Sequence, residues 1–358
     1  MGFVLRHGIF PVLIGEATVA ETNNSEKAAS VQRLHQIGAG YWVSQALYVA
    51  AKLGVSDALA DGPRPVEELA AIVGADAGAL FRLLRALAGY GLFTQTTPRC
   101  FGLTELGQIM RSDVPGSMRA LAMRIEWDWR TWEHMLYSVR TGRTAFEHIY
   151  GESFFEHLQR HPERAAVFDE AMTVYVKAHG VAVASAYDFS PFGTIVDVGG
   201  GHGAMMQAIL LRYPRARGVL FDLPRVIVGA REAIDRAGLS ARCRCVGGDF
   251  FAGVPNGEDG YLLSSILHDW DHQRSLTILR NCRRAMPEHA RLLIVEMVIP
   301  EGDEPFFGKL VDLQMLVTLG GLERTAKEYQ QLLVEAGFEL IRIIPTQSPA
   351  SLLEAAPA

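Results

Sequence analysis

A chain of 358 residues, 49% hydrophobic and 21% charged, has globular composition and room for two domains. Its net charge of −6 disfavours a general grip on nucleic acid. No apolar run approaches the roughly 20 residues needed to cross a bilayer, so neither nucleic acid nor a membrane is an expected partner.

Residues 1–30, "MGFVLRHGIFPVLIGEATVAETNNSEKAAS", read as an arm, disordered or docked on a partner chain, that ends in a polar linker. The apolar piece is short and broken by Pro11, which leaves a secretory signal as the alternative. Arg6 stands where N-myristoylation needs Ser or Thr. The cysteines, Cys100, Cys243, Cys245 and Cys282, lack zinc-site spacing and suit free thiols in a reducing cytoplasm.

From about Val31 to Leu59 an apolar stripe through Leu34, Ile37, Trp42, Leu47, Ala51 and Leu53 predicts helix. Pro65 with Glu67 and Glu68 suits the start of the next helix and Gly74 its end. A further helix is predicted from Asp76 to about Tyr90, with Leu80, Leu83, Leu84 and Leu87 inward. "LFTQ" and "CFGLT" complete a hairpin, so residues 31–115 form a winged-helix-like unit. Between Leu53 and Pro115 stand five Arg, no Lys and seven acids. A DNA-reading surface needs the opposite balance, which favours a dimerisation module.

Residues 116–185 are helical and aromatic-rich. Trp127, Trp129 and Trp132, then Phe168 and Met172 four apart, are either ordinary core or the wall of an apolar pocket for a flat ligand. From residue 186 to the C-terminus, short apolar runs alternate with helical spacers: "TIVDVG", "GVLFDL", "RCVGGD", "GYLLSSIL", "RLLIVEMVI", "FELIRIIPT" and "SLLEA". That alternation predicts an α/β fold with a mainly parallel, doubly wound sheet. Ligands of such sheets sit at the carboxyl ends of the strands.

The first run ends in "DVGGGHGA". Gly199, Gly201 and Gly203 let the backbone turn tightly and approach a ligand, but the spacing departs from the dinucleotide pattern G-x-G-x-x-G. His202 in this turn reads as solvent-facing. Asp222, about 20 residues on, is placed to accept from ribose hydroxyls. Asp249 suits an adenine amine, and Phe250 the ring face. With no phosphate-cradling loop, an adenosine ligand without phosphates fits best.

"DVGGGHG", "FDLP", "GGDFF", "LHDWDH" and "GGLERT", in this order and spacing, resemble the class I S-adenosyl-methionine-dependent O-methyltransferases. The nearest group contains the caffeic acid, acetylserotonin and bacterial polyketide and phenazine enzymes. The resemblance covers roughly residues 31–350. It implies a Rossmann-like sheet behind an N-terminal helical dimerisation domain, a homodimer, and S-adenosyl-L-methionine as cofactor. It implies cofactor contacts from Gly199, Gly201, Asp222, Asp249 and Phe250. Ser264 stands where many plant members have a cofactor-contacting lysine. His268 matches the base, flanked by Glu296 and Glu323, with Asp269 in support and Trp270 closing the cofactor site. Trp127, Phe168, Met172, Asp312, Met315 and Leu319 are the expected acceptor contacts, for a small aromatic hydroxylated substrate.

A phenol with pKa near 10, by analogy with tyrosine, needs a base at neutral pH. A histidine near pKa 6.5 is mostly neutral there and can take the proton. His268 and His272 together raise a metal reading. His268 ends a strand whereas His272 begins a helix behind Asp271, a natural N-cap, so they point apart and no metal is expected. Two rivals remain: a same-fold enzyme with diverged chemistry (N- or C-methylation, hydroxylation, decarboxylation or a pericyclic reaction), and a winged-helix ligand-sensing regulator.

Overall fold

The computed structural model describes residues 19–358. Of the expected N-terminal arm, residues 1–18 lie outside the described residues. The "ETNNSEKAAS" stretch is not a linker: it belongs to a helix over Val19–Gly38. The single helical pattern expected over 31–59 is broken at Ala39 and Gly54 into Val19–Gly38, Gly40–Leu53 and Val55–Ala58. Gly54 adopts φ 67° and caps the second of these, a left-handed turn that favours glycine.

The winged-helix-like unit is present. Helix Val66–Val73 ends on Gly74 at φ 68°. Asp76 accepts from the Ala79 N–H and starts helix Ala77–Ala88. That helix buries Leu80, Leu84 and Leu87, the i, i+4, i+7 stripe of an amphipathic helix. Strands Phe93–Thr97 and Cys100–Leu103 pair antiparallel, and Arg64–Pro65 adds to their edge.

The large sheet has seven strands: β1 Thr194–Val198, β2 Arg217–Asp222, β3 Cys243–Gly247, β4 Gly260–Ser264, β5 Arg291–Glu296, β6 Phe338–Pro345 and β7 Ser351–Pro357. Their order is β3-β2-β1-β4-β5-β7-β6, with β7 the one antiparallel strand. The central strands read as unbroken apolar runs because both faces are covered. Val196, Tyr261, Leu263, Leu292 and Ile294 pack into one core; Ile195, Leu220, Leu262, Leu293 and Val295 pack into the other.

One long helix, Pro162–Ala186, joins the two parts of the molecule. It packs on Arg119–Trp132 on one side and on Ala204–Arg212 on the other. Gly180 allows the second contact, since a Cβ there would lie 3.1 Å from Ala208 Cβ. Tyr175, Val176 and His179 of this helix line a cavity with Ser264 at the end of β4 and Glu296 at the end of β5, where candidate residues gather.

Candidate active site

The turn after β4 is built around one buried carboxylate. Ser265 takes φ 53°, a conformation that costs a non-glycine residue about 1–3 kcal/mol and persists only where its surroundings enforce it. It turns three successive backbone N–H groups toward Glu296 Oε1: Ile266 at 3.0 Å, Leu267 at 2.9 Å and His268 at 3.4 Å. Such a run of amides is an anion cradle. Glu296 is 2% exposed. His268 follows in the short 3-10 turn Leu267–Asp269 rather than at the strand end itself.

Glu323 arrives from 55 residues away because Arg324–Thr325 pairs in parallel with Val298–Ile299, just beyond β5. Its Oε1 lies 2.7 Å from His268 Nδ1. Asp312 Oδ1 accepts from the Glu323 N–H at 2.9 Å, which ties Asp312 to the partner of His268. Glu296 Oε2 stands 3.6 Å from His268 Nδ1, and Asp269 Oδ1 3.4 Å from His268 Nε2. Glu323 thus holds the ring through Nδ1, and Nε2 faces Asp269. Ligand atoms of His268, Glu296 and Glu323 lie within 4.8 Å of one another. Their hydrogen bonds to amides and to each other already account for that spacing.

Burial alone would strip the proton from His268, but the charges of Glu296, Asp269 and Glu323 outweigh it and raise its pKa well above the ordinary value. Burial pushes Asp269 up to about 6 and Glu296 up to about 7, against the opposing pull of His268.

Two residues without an assigned role in the sequence hold this turn. Arg324, 2% exposed, donates to Leu267 O at 2.9 Å, Trp270 O at 3.1 Å and Ser275 Oγ at 3.0 Å. Gly321 lies so close that a Cβ would fall 2.0 Å from His268 O and 2.6 Å from Trp270 N. Backbone atoms cannot yield as a flexible side chain would. Gly321→Ala is therefore expected to displace the His268 turn and lower kcat/KM on the order of 10²-fold, with a lower melting temperature. Steady-state kinetics and a thermal melt check this; unchanged kinetics would show that the close approach does not position His268.

At the cofactor end, Gly199 and Gly201 have φ 73° and 56°. A Cβ on Gly201 would meet nothing within 4 Å, whereas one on Gly199 would strike Ile266 and near Phe250. The loop is thus packed below and open above, as a ligand cradle requires. Asp222 accepts from the Gly201 and Leu223 N–H groups at 2.8 and 2.6 Å, which orients its carboxylate beside that opening. Asp249 is exposed and accepts from Phe251 N–H. Ser264, half-buried, lines a cavity with Tyr175, His179, His268, Glu296 and Glu323. The site fits a nucleoside bearing a short polar chain.

The O-methyltransferase domain family matches residues 132–339, and the O-methyltransferase dimerisation domain matches residues 35–113. The chain belongs to the S-adenosyl-methionine-dependent O-methyltransferase family. The methyltransferase is 52% identical over 340 residues to phenazine O-methyltransferase PhzM of Lysobacter antibioticus, which covers 95% of this chain and 100% of that one. Its fold superposes on the crystal structure of LaPhzM with a TM-score of 0.89 at 53% identity, over 92% of this chain and 99% of that one. It superposes on CalO1, a methyltransferase in calicheamicin biosynthesis solved with S-adenosyl-homocysteine bound, with a TM-score of 0.80 at 36% identity, over 92% and 99%. The cofactor is S-adenosyl-methionine.

The remaining candidates of this methyltransferase are less uniform. Trp270 stacks on Phe155, with ring centroids 5.4 Å apart, and meets Phe250 and Phe251 edge-on. Phe168 packs on Phe154 and Phe155, and Met172 follows it on the same helix, half-buried. Met315 is buried and Leu319 half-buried. The three tryptophans diverge: Trp127 lies under Arg164, Trp129 stacks on Tyr41, and Trp132 bonds Gln314. His202 is not solvent-facing. It is half-buried, with Nε2 2.8 Å from the place a Cβ of Gly229 would take. His272 pairs with Glu335 on the surface, and Asp271 caps its helix through the Arg274 N–H.

Proposed function

We propose that this enzyme methylates a hydroxyl, phenolic in character, on an aromatic small molecule of secondary metabolism, with His268 as general base. The observation that carries the reading is the His268 Nδ1–Glu323 Oε1 contact of 2.7 Å beside a cavity that also touches Ser264. Gly199, Gly201, Asp222, Asp249, Phe250 and Ser264 would hold S-adenosyl-methionine, which supplies an activated methyl. His268 Nε2 takes the proton of the acceptor hydroxyl, and Glu323 steadies the imidazolium. Glu296 and Arg324 hold the turn, so the base stays within reach of the oxygen. Trp270, Phe155 and Phe168 form the apolar wall against which a flat ring packs.

Incubating the enzyme with S-adenosyl-methionine and a set of mono- and polycyclic phenols tests this. A methyl ether found by mass spectrometry supports the reading; bound cofactor with no methylated phenol anywhere in the set contradicts it. A base must be unprotonated to act, and the pKa of His268 is raised. The rising limb of kcat/KM against pH is therefore expected above pH 6.5, the ordinary histidine value. A limb at or below that value would remove the three carboxylates from the account.

The same reading makes the enzyme a cytoplasmic homodimer. Among the described residues, no helix is long and apolar enough to cross a membrane. Leu34, Ile37 and Trp42 are 68%, 69% and 63% exposed on the first two helices, a stripe that a second copy would cover. Sedimentation of the wild type as a dimer and of Leu34→Asp/Trp42→Asp as a monomer is the expected result.

A further inference from the structure

Two of the buried polar atoms that lack a hydrogen-bond partner among the described residues belong to side chains lining one cavity. They are Glu323 Oε2 and His179 Nδ1. Glu323 is 3% exposed and His179 8%. Glu323 gives Oε1 to His268 Nδ1 at 2.7 Å, so Oε2 is the oxygen it has left. His179 reaches the cavity from helix Pro162–Ala186. Tyr175, one turn earlier, meets its ring edge-on with centroids 4.5 Å apart, which holds the imidazole in place. Burial lowers the pKa of His179, so the ring is neutral at pH 7 and brings no charge to the cavity.

A buried donor or acceptor without a partner is costly, and native folds carry few of them. Two at one cavity point to one shared partner. The cavity measures about 10 Å³, close to the room that a single water needs and far too small for an aromatic ring. Ser264, Ser265 and Tyr175 bring hydroxyls to the same lining, which completes the two to four contacts a buried water makes, roughly. Burial and the charges of Glu323 and Glu296 raise the pKa of the Tyr175 phenol, so it stays protonated and able to donate.

We propose that one water molecule bridges His179 Nδ1 and Glu323 Oε2, which makes His179 a positioning residue of the His268–Glu323 pair. The inference rests on proton abstraction by His268 and adds a residue that acts on it through Glu323. A water that donates to Oε2 stabilises the Glu323 carboxylate. It does so most when His268 has lost its proton, because the carboxylate then faces a neutral ring. The bridge therefore favours the unprotonated form of His268, against the pull of the carboxylates around it. The other groups that bear on the pair are Glu296, Asp269, Asp312, Tyr175, Tyr329 and the guanidiniums of Arg124 and Arg324. All of them stay in place when His179 alone is replaced.

The test compares the wild type with His179→Asn and His179→Leu, all as the full chain without added ligand. The asparagine amide takes the place of Nδ1, whereas leucine removes the polar partner. A high-resolution crystal structure of the wild type is expected to show a water within about 3 Å of both His179 Nδ1 and Glu323 Oε2. No water there, a water touching only one of the two, or a metal ion about 2.1 Å from the carboxylate overturns the proposal. Histidine-selective NMR then follows the titration of His268. In His179→Leu it is expected to move upward by about half a pH unit, roughly threefold in the protonation equilibrium, and in His179→Asn to stay near the wild type. A residue with a merely structural role would lower the melting temperature without moving that titration. An unmoved titration in His179→Leu, or an equal shift in both variants, therefore overturns the positioning role. His179→Gln, whose amide lies beyond the place of Nδ1, replaces the leucine variant if that one does not fold. Neither measurement needs turnover. The bridging water and the shifted titration, found in an enzyme that methylates no phenol, uphold the bridge and refute the proposed reaction.

Discussion

Replacing His268 by alanine is expected to lower methyl transfer on the order of 10³-fold while leaving the affinity for S-adenosyl-homocysteine within about twofold. A positioned general base contributes about 10²- to 10⁴-fold. His268 is held from both sides, by Glu323 on Nδ1 at 2.7 Å and by the Glu296 cradle under its own backbone. Such fixing puts its contribution in the upper part of that range. Most of the proposed nucleoside holders, Gly199, Gly201, Asp222 and Asp249, stand at the ends of β1, β2 and β3, which is why cofactor affinity is expected to be spared. Kinetics with a phenol of ordinary acidity, beside a calorimetric titration with S-adenosyl-homocysteine, measures both. Near-normal turnover would remove His268 from the chemistry.

The second large effect is on stability. Arg324→Met is expected to destabilise the catalytic part by about 2–5 kcal/mol, since each buried acceptor left without its donor costs about 1–3 kcal/mol. The side chain is 2% exposed and donates to Leu267 O, Trp270 O and Ser275 Oγ. Methionine matches its apolar length but leaves two buried carbonyls without donors. Because those carbonyls belong to the turn that carries His268, activity should fall with stability. Arg324→Lys keeps the charge but cannot span the three acceptors, so it should recover little. A loss of this size lowers the melting temperature on the order of 10 °C in a unit of this length. A shift within about 2 °C would show that the guanidinium is not what holds the turn.

The large sheet was legible because its strands are buried on both faces, which forces unbroken apolar runs on the sequence. Glycines 199, 201 and 203 were legible because all three take positive φ. The Glu323–His268 contact came from the motif resemblance. It spans 55 residues, and only the two-residue pairing beyond β5 creates it. Arg324 and Gly321 stood inside the same "GGLERT" motif without a role, because what they touch is a backbone distant in sequence. The glycine pair there was the available signal of a close approach. Composition misled at the N-terminus, where "ETNNSEKAAS" reads as a polar linker yet forms helix. Glu, Lys and Ala favour helix, and no apolar stripe reports it. Solvent exposure of His202 was misjudged because the helix bearing Gly229 packs over its ring.

The dependence of the His268→Ala defect on the acidity of the acceptor tests the proton-abstraction claim most directly. A base is needed in proportion to the fraction of acceptor that remains protonated. Across a series of phenols of similar shape, from pKa about 10 down to about 6 at neutral pH, the defect is predicted to shrink from on the order of 10³-fold to a few-fold. A defect that stays the same across the series would show that His268 positions the acceptor without taking its proton.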